Sequence, residues 1–315
     1  MRGLSYLLLL GGVLAQPVNA TDAQDWLARL SEAEQQQSFH GTFVYERNGI
    51  FSTHSIWHQA SGGAGVRERL FQLDGPVQEV LRVDSRTQCV SGGIADQTAE
   101  GQSWPARALD VKQLAAWYDL RIIGESRVAG RNAVVLAVLP RDQHRYGFEL
   151  HLDRETGLPL KSLLLNEKGQ LLERFQFSTI DMSTPSDADL KPGPSCQPVR
   201  FVESKAIDPK AWRSEWMPPG FNLNSAVERH STVSSSPVAC LVYGDGLARF
   251  SVFLEPLNGA VVEDARTQLG PTVAVSKRIP TSSGDVMVTV IGEIPLGTAE
   301  RVALSMRDGN AQAAQ

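Results

Sequence analysis

The chain has 315 residues, 42% of them hydrophobic and 21% charged, and a formal net charge of −5. That length serves one large domain or two medium ones, and an acidic balance argues against nucleic acid as a partner. Three cysteines, Cys89, Cys196 and Cys240, with no CxxC and no clustered Cys/His pattern, argue against zinc and allow at most one disulfide within the chain.

Residues 1–20 read as a signal peptide: Arg2 opens it, Leu4–Leu14 is almost wholly apolar, and Val18-Asn19-Ala20 offers small residues for cleavage. Thr21–Gln37 predicts an amphipathic helix, with Trp26, Leu27, Leu30 and Ala33 on one face. Strands follow. Gly41–Arg47 and Ile50–His58 flank Asn48-Gly49, which suits a type I′ hairpin turn because both residues accept positive φ. Val66–Leu73 and Val77–Val83 meet at Asp74-Gly75, and Gln88-Cys89-Val90 is a short apolar piece. Asp110–Asp119 predicts a second helix, capped by Asp110 against Gln113, with Leu114, Trp117 and Tyr118 on its apolar side.

Five more strands are expected at Leu120–Val128, Ala133–Leu139, Tyr146–Leu152, Leu160–Leu165 and Leu171–Ile180. In the third of these, Tyr146, Phe148, Leu150 and Leu152 alternate with a polar face carrying Glu149 and His151. Short turns between neighbours imply an antiparallel meander. With few helices to cover it, such a sheet must curl into a barrel or partial barrel to bury its apolar face.

Residues 182–210, with Pro185, Pro192, Pro194, Pro198 and Pro209, read as a linker. A smaller α+β unit over 211–307 follows, with strands at Leu223–His230, Val238–Tyr243, Leu247–Leu254, Thr272–Arg278 and Val286–Ile291. Helices are expected at Ala260–Leu269 and Thr298–Met306, and residues 308–315 read as a disordered tail. The fold class is α+β, mainly β. Cys196 and Cys240 flank the start of the second unit, and a bridge between them would pin the linker; the pairing stays open among the three cysteines.

No reactive constellation stands out. His54 and His58 lie on one strand face about 13 Å apart, too far to share a metal directly. There is no GxSxG elbow, and Gly270 to Lys277 lacks the second glycine of a phosphate loop. Aromatic residues crowd the first unit, and a partial barrel leaves an apolar concave side that makes a pocket for an apolar ligand. Trp117, Tyr118 and Phe148 are candidates for lining it, with the first two as a gate. Arg249 and Lys277 are candidates for contacting acidic groups on a partner or lipid phosphates.

The stretches Phe39-His40-Gly41-Thr42-Phe43-Val44-Tyr45-Glu46-Arg47, Leu152-Asp153-Arg154-Glu155-Thr156-Gly157-Leu158-Pro159 and Trp216-Met217-Pro218-Pro219-Gly220-Phe221 are familiar as sequence. With Arg82-Val83-Asp84, Trp117 to Arg121, Gly124 to Arg131 and Tyr243 to Phe253, they resemble the RseB/MucB family over nearly the whole chain. The resemblance implies a periplasmic negative regulator of an extracytoplasmic-function sigma factor, of the envelope-stress or alginate type. It implies that the protein binds the periplasmic part of a membrane-spanning anti-sigma factor, shields it from site-1 proteolysis, and releases it when lipopolysaccharide or a related lipid binds. It implies a first domain like lipoprotein carriers of the LolA/LolB type, an unclosed β-barrel with helices over its mouth, and a smaller domain that contributes to partner binding. It implies no cofactor and no catalysis, and leaves a homo-oligomer open. A lipid or lipoprotein carrier is the alternative reading of the same half-barrel.

Overall fold

The computed structural model of the chain describes residues 20–60, 65–91, 109–199, 205–230, 237–282 and 284–309. The expected signal peptide, apart from Ala20, and the tail beyond residue 309 lie outside them. Helix α1 spans Ala20–Gln36 and buries Ala23, Leu27, Leu30 and Ala33, four positions at helical spacing.

Ten strands then follow in two runs of five. The first run is β1 (Phe39–Arg47), β2 (Ile50–Ala60), β3 (Val66–Gln72), β4 (Glu79–Val83) and β5 (Arg86–Ser91). Helix α2 (Val111–Trp117) separates it from β6 (Tyr118–Val128), β7 (Arg131–Pro140), β8 (Gly147–Asp153), β9 (Pro159–Leu165) and β10 (Leu171–Asp181). The Asp110 carboxylate caps α2 by accepting from the Gln113 N–H at 3.0 Å.

Turn chemistry fixes the hairpins. Asn48 and Gly49 take φ of 54° and 73°, the type I′ geometry that keeps Arg47 opposite Ile50. Asp84-Ser85 forms a comparable turn between β4 and β5, with φ of 50° and 64°, which the residue types alone did not suggest.

Among the described residues, all ten join one sheet with a short β11 (Gln197–Pro198), in the order β11-β5-β4-β3-β2-β1-β10-β9-β8-β7-β6. The two meanders meet where β1 pairs with β10, a contact between residues about as far apart as Glu46 and Arg174. The sheet is therefore open, with edges at β11 and β6, and curls around α1. Leu27 and Leu30 pack with Leu114, Tyr118, Leu136 and Leu152 on one side, while Ala33 packs with Phe39, Phe43, Leu160 and Phe177 on the other.

His151, on the polar face of β8, is only 6% exposed, and Ser126 Oγ at 2.7 Å and Glu149 Oε1 at 2.8 Å satisfy its two ring nitrogens there. The cysteine pairing is Cys89–Cys196, with Cα atoms 5.5 Å apart, not Cys196–Cys240. Cys240 is a free thiol buried on the second domain's sheet.

That disulfide belongs to a strap. After β10 the chain runs back over the face of β2–β5 opposite the sheet's hollow. Gln59 reaches Pro185 O at 3.3 Å, Arg67 reaches Asp187 at 2.6 Å and Arg69 reaches Asp189 O at 2.9 Å. The Gly193 N–H donates to the Glu79 carboxylate at 3.0 Å. Leu190 is 1% exposed, and β11 then pairs with β5. The proline-rich segment is thus bound to the first sheet as far as Val199.

In the second domain β12 (Trp212–Ser214) pairs with β19 (Met306–Asp308) and so draws Asp308 into a ladder. Its main sheet has the order β13 (Asn222–His230), β14 (Pro237–Gly244), β15 (Arg249–Pro256), β18 (Gly284–Gly292), β17 (Thr272–Thr281) and β16 (Ala265–Leu269). Helix α3 (Leu296–Ser305) buries Ala299, Val302 and Ala303 against Val273, Val275, Val288 and Val290. The helix expected at Ala260–Leu269 does not form. Residues 265–269 are instead an edge strand paired with β17, all five of them exposed. The apolar positions Val261, Ala265 and Leu269 stay exposed with nothing packed over them, so the open edge of β17 decides the conformation of 265–269.

Candidate functional site

The hollow of the first sheet holds a cavity of about 390 Å³ under the C-terminal turn of α1. Strand alternation builds it. Phe39, Phe43 and Tyr45 on β1, His54, Ile56 and His58 on β2, Val66, Glu68 and Leu70 on β3, and Phe175 and Phe177 on β10 all point inward, and Leu158, Pro159 and Ser162 add to the wall. The rings interlock: Phe43 lies 4.7 Å from Phe175 and 6.0 Å from Phe177, and Phe39 lies 5.9 Å from Phe177. A wall of this kind suits an acyl chain or another elongated apolar ligand.

His54 and His58 are part of this wall, each stacked on a phenylalanine: His54 on Phe43 at 5.1 Å and His58 on Phe39 at 4.8 Å. His54 bonds Ser52 Oγ at 2.8 Å, and burial lowers its basicity. His58 Nε2 meets the Glu34 carbonyl at 2.9 Å and Nδ1 lies 3.4 Å from Glu68, so this ring ties α1 to the sheet. Among the described residues no group of three or more His, Cys, Asp or Glu side chains is placed to hold a metal.

Polar groups sit at the two ends of the cavity. At one end, the Tyr45 hydroxyl donates to Glu173 Oε2 at 2.6 Å. Burial pushes both the phenol and the Glu173 carboxyl up. At the other end, Glu34 and Glu68 approach each other. Burial first, then the neighbouring Glu68 charge, moves Glu34 from its ordinary 4.5 up to about 9. Burial also opposes charge on Glu68, but His58 and Arg82, the latter at 3.0 Å, outweigh it and hold that carboxyl below its ordinary range.

Trp117, Tyr118 and Phe148 do not line this cavity. Phe148 packs against the cluster around Leu27 and Leu30. Tyr118 and Trp117 sit at the junction between the domains, next to a group the sequence did not single out. Arg145, fully buried, meets Asp245 of the β14–β15 turn at 2.6 Å and Asp142 at 2.9 Å. It also donates to the Pro219 carbonyl, and its guanidinium lies 5.6, 5.4 and 4.9 Å from the rings of Trp117, Tyr118 and Phe221. The Tyr118 hydroxyl donates to Asp245 at 3.0 Å, and burial with the Asp245 charge pushes it well above the usual phenol range.

Asp245 is completed by the Leu247 and Ala248 N–H groups at 2.9 and 2.7 Å. Trp117 lies against Gly220, whose φ of +83° and close approach to the indole both require glycine. Around this centre, Tyr146 donates to the Ile294 carbonyl at 3.1 Å, His144 meets Thr298 at 3.1 Å and Arg47 meets Glu293 at 3.2 Å. Of the two cations expected to meet a partner, Arg249 is exposed at the start of β15, whereas Lys277 pairs with Glu300 at 3.0 Å and Asp264 at 3.3 Å.

The signal for the cavity was present in β2, where His54, Ile56 and His58 alternate. Its other polar members, Glu34, Glu68 and Arg82, come from separate elements and had no shared motif.

Residues 22–196 match the model of the MucB/RseB N-terminal domain, and residues 206–307 match that of the MucB/RseB C-terminal domain. The chain belongs to the MucB/RseB family. It is 66% identical over 309 residues to the sigma factor AlgU regulatory protein MucB of Pseudomonas aeruginosa, covering 98% of both chains. It is 29% identical over 261 residues to the sigma-E factor regulatory protein RseB of Escherichia coli, covering 78% of each. The complex structure of P. aeruginosa MucA/MucB contains a chain that is 67% identical and superposes with a TM-score of 0.83 over 91% of this chain and 99% of that one. A crystal structure of MucB, 63% identical, superposes at 0.69 over 91% of this chain and 98% of its own. In this chain the two matched domains meet through the Arg145–Asp245–Tyr118 centre, and the first of them carries the aromatic cavity.

Proposed function

We propose that this protein is a periplasmic regulator that binds the periplasmic region of a MucA-like anti-sigma factor, shields it from site-1 proteolysis, and lets it go when a lipid such as lipopolysaccharide enters the cavity. The near full-length identity to MucB, solved in complex with MucA, is the observation that carries the partner. The aromatic cavity supports the lipid. Residues 21–181 with the strap form the lipid-receiving unit, and residues 211–307 form the unit that adds partner contacts. Arg249, exposed and at the edge of the domain junction, suits an acidic group on the partner; Lys277 is already committed to Glu300 and Asp264.

A calorimetric titration with the periplasmic segment of the anti-sigma factor should give a defined complex that saturating lipopolysaccharide dissociates. A complex indifferent to lipid would overturn the sensing half of the proposal. Linkage adds a sharper check. If lipid weakens partner binding by some factor, bound partner must weaken lipid binding by the same factor. A lipid or lipoprotein carrier, the alternative that the cavity alone would serve, shows no such reciprocity: its lipid affinity is the same with and without the anti-sigma segment.

A further inference from the structure

Most polar groups lining the cavity are committed. Tyr45 and Glu173 bond each other at 2.6 Å, Glu68 is held by Arg82 and His58, and His54 is bonded to Ser52. Glu34 differs. Its backbone carbonyl accepts from His58, which fixes the helix turn, but among the described residues its carboxyl makes no hydrogen bond and no ion pair while facing the cavity. A partly buried polar group left in this state is a binding opportunity, since a ligand that pairs with it recovers a hydrogen bond that the protein alone leaves unmade.

The charge pattern says which ligand group fits. Glu34, Glu68 and Glu173 all line the cavity, and the one lining side chain with a fixed positive charge, Arg82, is engaged by Glu68 at 3.0 Å. A phosphate brought inside would meet the ionised Glu68 carboxylate and no uncommitted cation among the described lining residues, and would lose its hydration without recompense. A neutral group that can donate a hydrogen bond meets no such penalty.

We propose that Glu34 is the cavity's polar anchor: an amphiphile enters chain first, its apolar part fills the Phe39–Phe43–Phe175–Phe177 wall, and a hydroxyl or amide carried on that chain bonds the Glu34 carboxyl, while any anionic headgroup stays outside. This rests on the lipid reading of the cavity and narrows it to a ligand class. The carboxyl is suited to the role because it is neutral near pH 7, where it can both donate and accept. The neighbouring Glu68 charge on β3 acts on it, and His58 on β2 and Arg82 on β4 line the same cavity.

The test uses the full mature chain and displacement of a neutral fluorescent naphthylamine by dodecane, 1-dodecanol and dodecyl phosphate, each below its micelle-forming concentration, at pH 7. In the wild type, 1-dodecanol is expected to bind about tenfold more tightly than either of the others. Glu34→Leu should erase that preference, and Glu34→Gln, which keeps a donor and an acceptor, should retain it within about threefold. Circular dichroism checks that both variants fold. If all three probes bind but Glu34→Leu leaves their order unchanged, the anchor is overturned and the cavity stands. If dodecyl phosphate binds the wild type most tightly, the anchor is likewise overturned. If no probe displaces the reporter, the lipid reading of the cavity falls and the anchor falls with it.

Discussion

Glu34 carries a consequence for stability as well as for binding. Its carboxyl moves from 4.5 up to about 9 because burial and the Glu68 charge oppose ionisation in the folded chain. In the unfolded chain it ionises above pH 4.5, whereas the folded chain keeps the proton until about pH 9. The folded state therefore binds more protons across that window, and stability falls as pH rises through it. The expected outcome is that the urea midpoint of the wild type drops between pH 5 and pH 8 by more than that of Glu34→Gln. The difference should be at most about 1.4 kcal/mol per pH unit. Equal slopes in the two proteins would show that Glu34 ionises normally. The paired histidines on β2 show how such residues read in sequence. Their spacing placed both on one strand face, which is correct, but whether that face was solvated or enclosed depended on α1, whose C-terminal turn lies over it and meets His58 through the Glu34 carbonyl.

Elements behave more predictably where they carry their own pattern. Helix α1 was legible because Leu27, Leu30 and Ala33 recur at helical spacing; the structure adds Ala23 to the buried face and leaves Trp26 half-buried, and Leu27 is fully buried. Leu27→Ala should cost about 2–5 kcal/mol, measured by chemical denaturation, because the hollow beneath cannot collapse around the missing methyls. The Asn48-Gly49 hairpin was legible for a different reason, since positive φ at two consecutive positions strongly favours that pair.

The strap over β2–β5 was not legible. Its prolines and polar residues are those of a linker, and it is held by partners scattered over Gln59, Arg67, Arg69 and Glu79. The Cys89–Cys196 bond closes it across a sequence separation of 107 residues, so Cys196→Ser should lower stability by about 2–5 kcal/mol in non-reducing denaturation. A reduced wild type should match the variant. The misread segment at Ala260–Leu269 makes the same point from the other side: with no buried face of its own, its conformation was set by β17.

For the whole molecule, the decisive contact is the buried centre between the domains. Removing Asp245 leaves Arg145 enclosed with Asp142 as its remaining carboxylate partner, and breaking a buried ion pair on one side costs about 3–5 kcal/mol. Asp245→Ala should therefore destabilise by that order, and Asp245→Ala with Arg145→Met should recover part of the loss. Strictly additive effects in that double-mutant cycle would mean the pair does not couple the domains. The Arg145 centre, with the Tyr146–Ile294, His144–Thr298 and Arg47–Glu293 contacts around it, holds the two domains against each other.

The sequence by itself determined most of the strands, several of their turns, the amphipathic helix and the family, because each rests on local spacing or on long runs of residues read in order. Only the tertiary structure decided the rest. The pairing of β1 with β10 joins two meanders that local turns leave separate. The same closure brings Glu34, His58, Glu68 and Arg82 from four elements to one end of a cavity. It also leaves Tyr118 bonded across the domain junction rather than lining that cavity. Local periodicity says which face of a strand is apolar; it does not say what will lie against that face, and in this protein that is where the candidate chemistry resides.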